Sequence, residues 1–162
     1  MIGNSTSKIA TDKPNLSGKQ KVARGIVALS VLLYFASLYS PVFKDSGSIL
    51  GFYILFFGWF TIPGNGFAWF ANPCLWIAWI GLAKKGLKGD IIISVVMSLA
   101  AVALALTTFQ LKELVLDEGG APLLGYDLGF YLWLASIGVT VLGSLVLLIL
   151  YLRENGSMVA DD

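Results

Sequence analysis

The sequence predicts an all-α integral membrane protein: four transmembrane helices, with a short aromatic re-entrant or interfacial segment between the first and second. Three observations predict it. Hydrophobic residues make up 57% of the 162 positions and charged residues 13%, against about 25% charged in a typical soluble domain. Charges are therefore too few to coat a globular surface, and with a mean hydropathy of +0.80 lipid becomes the expected solvent. Apolar runs of membrane-crossing length recur between short polar breaks. Finally, threading the chain four times through a bilayer gathers nine of the eleven Lys and Arg residues on one side, as the positive-inside rule requires of a cytoplasmic face.

Residues 1–21 are polar, with Lys8, Lys13, Lys19 and Lys21 against Asp12 alone, and read as a mobile cytoplasmic tail. Ser17 and Gln20 have the spacing of a capping box, which places a helix start near Gly18. The first span is predicted over 22–43, about 33 Å of helix for a hydrocarbon core of about 30 Å. Arg24 snorkels from its first turn. A cleaved signal peptide would have a shorter apolar region, and Ser37-Leu38-Tyr39-Ser40-Pro41 makes a poor cleavage site, so an uncleaved anchor is expected.

The aromatic segment follows, at 49–66. From Phe52 to Trp79 the chain holds four of its five tryptophans, broken by Pro63-Gly64-Asn65-Gly66. Leu50–Phe60 gives only about 17 Å of helix, too short to cross alone. Making it a fifth span would also move Lys84, Lys85 and Lys88 to the outside. Irregular backbone in lipid must be hydrogen-bonded internally. The segment is thus an interfacial helix, a re-entrant hairpin or a bent extension of the second span. That span is placed at 67–83, with Asn72 as N-cap, Pro73 at the first helical position and a kink at Pro73 where the helix extends back to Phe67. A third span is predicted over 91–109 and a fourth over 128–152. Residues 153–162 form a second cytoplasmic tail.

Several residue groups could carry function. Trp59, Trp69, Trp76 and Trp79 suit either a ligand-stacking cage or an aromatic belt at headgroup level; no carboxylate in the segment completes a cation cage, which favours the belt. Asn65 and Asn72 could meet a substrate headgroup, although turn and cap chemistry accounts for both. The candidate interaction or gating set is therefore Trp59, Asn65, Trp69, Asn72, Pro73 and Trp76. Ser136, Thr140 and Ser144 recur every four residues on the fourth span beside Ala135, Gly138 and Gly143. Such a small-residue face suits close helix packing, within this bundle or against a partner. Glu113, Asp117, Glu118 and Asp127 form an acidic cluster without a calcium-loop spacing, and read as a solvated loop.

Much chemistry is disfavoured. Histidine is absent and Cys74 is the only cysteine, which removes the commonest general base and any disulfide framework or cysteine metal cluster. The middles of the spans contain no Asp, Glu, Lys, Arg or His, against the usual marks of proton relays and ion paths. No catalytic residues, metal ligands or cofactors are expected, and a net charge of +1 offers no basic face for nucleic acid.

Trp69-Phe70-Ala71-Asn72-Pro73 and Gly129-Phe130-Tyr131-Leu132-Trp133-Leu134-Ala135-Ser136 resemble strings in small bacterial inner-membrane proteins with four predicted helices. The resemblance covers thirteen residues of 162 and implies a bacterial inner-membrane setting without implying an activity. The expected function is that of a non-catalytic subunit, accessory or assembly factor in a membrane complex, surrounded by lipid and by other membrane subunits or copies of itself. The alternatives are a small channel or carrier for a neutral or lipidic solute, gated by the aromatic segment, and a lipid-acting enzyme built on the outer carboxylates. One test concerns topology. Asn4-Ser5-Thr6, Asn15-Leu16-Ser17 and Asn155-Gly156-Ser157 match the N-glycosylation pattern on tails expected to be cytoplasmic. They should stay unmodified when the chain is inserted into microsomal membranes; a glycan on any of them would contradict the threading.

Overall fold

Apolar runs of this length, with every backbone group bonded inside its own helix, leave little choice but a helical bundle. A computed structural model describes residues 18–44, 49–60, 67–84, 88–110, 113–114, 121–122 and 124–157, and these are almost wholly helical. The helices are α1 (Gly18–Leu38), α2 (Gly51–Phe57), α3 (Ala71–Ala83), α4 (Lys88–Leu106) and α5 (Leu128–Ser157). One two-residue antiparallel ladder, Glu113–Leu114 with Ala121–Pro122, lies between α4 and α5.

Three stretches are long and apolar enough to cross a membrane: Gln20–Leu38, Lys88–Gln110 and Leu128–Arg153. Two shorter apolar helical runs accompany them, Gly51–Phe60 and Phe67–Ala83. The second consists of a 3₁₀ turn over Phe67–Phe70 followed by α3, together about 27 Å long.

Helix neighbours are antiparallel. At one end of the bundle Ala23 of α1, Leu82 of α3, Ile91 of α4 and Leu147 of α5 form a single apolar cluster. In the middle, Tyr34, Ala71, Leu75, Ala101, Ala105 and Ile137 form the largest one. At the far end Val42, Phe43 and Phe130 close the core. Small side chains set the spacing: Ala71, Leu75, Ala78 and Ala101 are wholly buried, as are Ser94, Ser98, Ser136, Thr140 and Ser144. Large apolar residues such as Leu32, Ile80, Val96 and Leu142 face outward, the arrangement that lipid outside and small-residue contacts inside would produce.

The far end is welded by an extended segment from Pro41 to Lys44. Its Val42 N–H donates to Ile49 O at 2.9 Å and its Lys44 N–H to Gly125 O at 3.0 Å; Asp127 and Gly129 donate back to Val42 O and Pro41 O, both at 2.8 Å. The start of α2 joins through Gly51 N–H to Ser40 O at 3.1 Å. One short strand thus fixes the end of α1 against the beginnings of α2 and α5.

Several predicted boundaries are corrected. The first span was expected to reach Phe43, but α1 stops at Leu38. Proline disfavours helical backbone in the residue before it, so Pro41 turns the chain at Tyr39–Ser40 and the next residues pair across the end of the bundle. The third helix starts at Lys88, three residues before the predicted 91, with Asp90 in its first turn, where a carboxylate complements the helix dipole. It ends in a 3₁₀ turn over Thr107–Gln110. The last helix continues to Ser157 rather than ending at 152, since nothing between Arg153 and Ser157 is a helix breaker except Gly156. Asn72 is not the N-cap of α3. Phe70 holds that position and Asn72 is the second helical residue, because the preceding 3₁₀ turn already carries the chain into the helix. Pro73 then lies in the first turn, where its missing N–H costs nothing.

The crowding at Gly129 gives a test. A Cβ there would meet the backbone carbonyls of Ser40, Pro41 and Ser37 at 2.7, 2.8 and 3.0 Å, whereas one on Gly138 would meet nothing within 4 Å. Gly129→Ala should therefore cost about 2–3 kcal/mol through overpacking against backbone. Gly138→Ala should be neutral or stabilising by up to about 1 kcal/mol, alanine being the better helix former. Unfolding of both variants in mixed micelles measures the difference; equal stabilities would contradict the welded junction.

Candidate functional site

A cleft opens beside the welded end of the bundle, with a volume of about 90 Å³. Hydrogen bonds hold several of its lining elements together. Trp69 Nε1–H donates to Leu55 O at 2.8 Å, which lays the 3₁₀ turn before α3 against α2. The Asn72 amide joins three helices: its Oδ1 accepts from Trp133 Nε1–H of α5 at 3.0 Å and from Tyr34 Oη–H of α1 at 3.3 Å. Its Nδ2–H donates to Trp69 O at 3.0 Å. Gly51, Ile54 and Leu55 of α2, Gly58 just after it, and Val42, Phe43 and Phe130 also line the cleft, with Ile54 packed against the last three.

Thr108 completes the lining from the end of α4. Its backbone carbonyl accepts the Tyr126 hydroxyl at 2.9 Å. Burial raises the Tyr126 pKa above its usual value, with Tyr131 adding to the shift, so that hydroxyl remains a donor at neutral pH. None of the described residues lining the cleft has a side chain charged at neutral pH. It offers apolar surface and a few neutral hydrogen-bonding groups, the usual make-up of a small-molecule pocket.

A second polar constellation lies deeper and is closed. Ser30 Oγ sits 2.8 Å from Ser136 O and 2.8 Å from Thr140 Oγ1, and Trp79 Nε1–H donates to Ser30 Oγ at 2.9 Å. Ser98 and Ser144 pair at 3.3 Å, and Ser94 donates to Ala78 O at 2.9 Å. Ser136, Thr140 and Ser144 are thus wholly buried inside the bundle. The interior below the cleft is filled by this network and by the central apolar cluster.

The other residues singled out from sequence are dispersed. Trp69 and Asn72 line the cleft, with Pro73 next in the chain and outside it. Trp59 is 47% exposed and stacks on Phe60 at 3.8 Å between centroids. Trp76 is 37% exposed and meets Tyr34 edge-on. Trp79 belongs to the hydroxyl network, so the four tryptophans form no cage among the described residues. Asn65, Asp117 and Glu118 lie outside the described residues, as does Ser17. Asp127 is used locally, its Oδ1 accepting from Leu128 N–H at 2.7 Å. Among the described residues no three Cys, Asp or Glu side chains converge on a point that could hold a metal ion.

Sequence reasoning missed Trp133, Tyr34 and Thr108. Tyr34 carried a signal, a phenol in the middle of a predicted span that needs a partner there. Trp133 stood inside one of the two resembling strings. Thr108 carried none.

No family model matches the chain, and comparisons with curated proteins and with solved structures likewise return no similar protein.

The Asn72 node yields a quantitative expectation. Asn72→Leu leaves Trp133 Nε1–H and Tyr34 Oη–H without their acceptor and should cost about 1–3 kcal/mol of stability. Trp133→Phe removes one of those donors, so the two changes should couple by at least about 0.5 kcal/mol in a double-mutant cycle. Strict additivity would show that the amide does not join α3 to α5.

Proposed function

We propose that the chain is a non-catalytic protein crossing a bacterial inner membrane four times, with both termini cytoplasmic, and acting as a subunit or accessory factor of a membrane assembly. The fourth crossing is the Phe67–Ala83 run. At about 27 Å it is short for a core of about 30 Å, a mismatch that slight bilayer thinning accommodates. Its last turn meets the first turns of α1 and α4 and the last turns of α5 in one cluster. Arg24, Lys84, Lys88 and Arg153 flank that same end, which favours it as the cytoplasmic one. Lys84 also lies 4.0 Å from Asp90, an exposed pair worth little by itself.

The observation that carries the subunit reading is the fate of the two candidate contact surfaces. The hydroxyl face of α5 is consumed inside the chain. The aromatic face of α2 is not: Phe52, Tyr53, Phe56, Phe57, Trp59 and Phe60 are each 47–56% exposed. A ten-residue helix with such a row suits the membrane boundary, and aromatic residues are enriched in protein interfaces. The proposed threading puts α2 on the outer face, and its exposed aromatics suit an interfacial element there.

A second reading, binding of a neutral or lipidic solute, is favoured by the cleft. Without an ionised group it lacks an activated nucleophile or base, which speaks for binding rather than lipid chemistry.

Two measurements test the proposal. In a Cys74→Ala background, single cysteines at Lys44 and Lys88 should react with an impermeant maleimide from opposite sides of spheroplasts and inverted vesicles; labelling from the same side would sink the four-span threading. In mild detergent the tagged chain should bring down a stoichiometric partner that Phe52→Ala/Phe56→Ala/Trp59→Ala loses. A stable monomer under gentle extraction would count against the subunit role.

A further inference from the structure

Thr108 is 4% exposed, and its Oγ1 is the one buried side-chain polar atom among the described residues with no hydrogen-bond partner. Its neighbour shows the usual solution, Thr107 Oγ1 donating to Leu104 O at 2.6 Å. Every other buried hydroxyl in the bundle has a partner, and a polar atom buried without one is costly. Thr108 is one of the residues lining the cleft, so a group bound there is placed to complete it.

We propose that the cleft binds an ester-linked acyl lipid of the surrounding bilayer, the Thr108 hydroxyl donating to an acyl ester carbonyl. The upper part of that chain lies along the apolar lining of the cleft, which includes Leu38, Phe43, Leu55 and Phe130. This deepens the second functional reading and rests on the membrane threading proposed above.

Four features select this occupant. The described residues of the lining carry no charge and so offer no ion-pair partner to an anionic or cationic headgroup. The cavity is small: an apolar cavity of about 150 Å³ takes a benzene, so one of 90 Å³ takes a few methylenes and not a headgroup. The cleft lies where α1 and α4 end and α2 and α5 begin, at the level of a bundle terminus. Trp69 and Trp133 both line it, and indoles favour the interfacial zone where glycerol esters sit. Water alone is a poor alternative, because an ordered water needs two to four polar partners and most of this lining is aliphatic or aromatic.

The full chain can be purified and exchanged into detergent with an equimolar mixture of diacyl phosphatidylcholine and its dialkyl ether analogue of equal chain length. Native mass spectrometry then counts the lipids retained. The ether analogue keeps the shape and removes the carbonyl. One lipid should be retained per chain, with the diacyl form preferred about three- to tenfold, the size of one neutral hydrogen bond. Thr108→Val, which keeps the shape, should abolish the preference, and Thr108→Ser should keep it. Ala68→Phe, filling the cleft, should remove the retained lipid. If that variant does not fold, the Val and Ser pair decides alone. A lipid-free wild type, with water left at Thr108, would overturn the proposal. So would equal retention of the two lipids, or a preference unchanged by Thr108→Val. The cysteine labelling above separates the failures: a wrongly threaded chain undoes the membrane reading, whereas a correctly threaded chain without the preference undoes only this site.

Discussion

Every polar group inside the bundle must find its partner inside the chain, and the layout of the helices follows from that constraint. The hydrocarbon of lipid cannot hydrogen-bond, so a hydroxyl or indole on the inner face of a membrane helix is either paired or costly. Here the pairs fall at the helix contacts. Ser30, Ser136, Thr140 and Trp79 tie α1, α5 and α3 at one level. Asn72, Trp133 and Tyr34 tie the same three helices nearer the α1–α2 end. Ser94 and Ser98 tie α4 to α3 and α5. Such bonds average only about 0.6 kcal/mol each in membrane proteins. Their weight lies in register: each is satisfied in one alignment of its two helices, and together they leave little freedom to slide.

The cleft follows from the same constraint meeting a geometric one. The strand from Pro41 to Lys44 uses its backbone groups on both sides, which brings the first turns of α2 and α5 onto it. Glycine at positions 51 and 129 permits the approach, since a Cβ at either would run into backbone carbonyls of Ser37 to Pro41. Held there, α2 cannot also close onto α3 along its whole length. Trp69 bridges the gap with its indole, and what remains open is lined by apolar residues and by one hydroxyl without a partner.

Much of this architecture was legible in the sequence because lipid imposes simple rules. Length and composition gave the apolar helices to within a few residues, since a helix must match a fixed thickness and charges mark its ends. The aromatic break at 49–66 was legible as something too short to cross. Local chemistry misled at two points. Pro41 looked like part of a span, although a proline two residues beyond Tyr39 ends a helix wherever the backbone has another partner. Asn72 and Pro73 looked like a cap because that pair has the right local chemistry; the deciding interactions came from Tyr34 and Trp133, 38 and 61 residues away in the chain. Periodicity singled out Ser136, Thr140 and Ser144 as a packing face without indicating which helices pack there. Thr108 was invisible, because its significance is the absence of a neighbour.

Among the described residues the chain satisfies all its buried side-chain polar atoms but Thr108 Oγ1, and the proposal is that lipid completes that one. A crystal structure grown from a lipidic mesophase, at a resolution that shows hydroxyls and acyl chains, tests it most directly. Elongated density should lie along the lining that includes Leu38, Phe43, Leu55 and Phe130, with an oxygen within hydrogen-bonding distance of Thr108 Oγ1. A cleft collapsed onto Thr108, or one holding ordered water and nothing else, would contradict it.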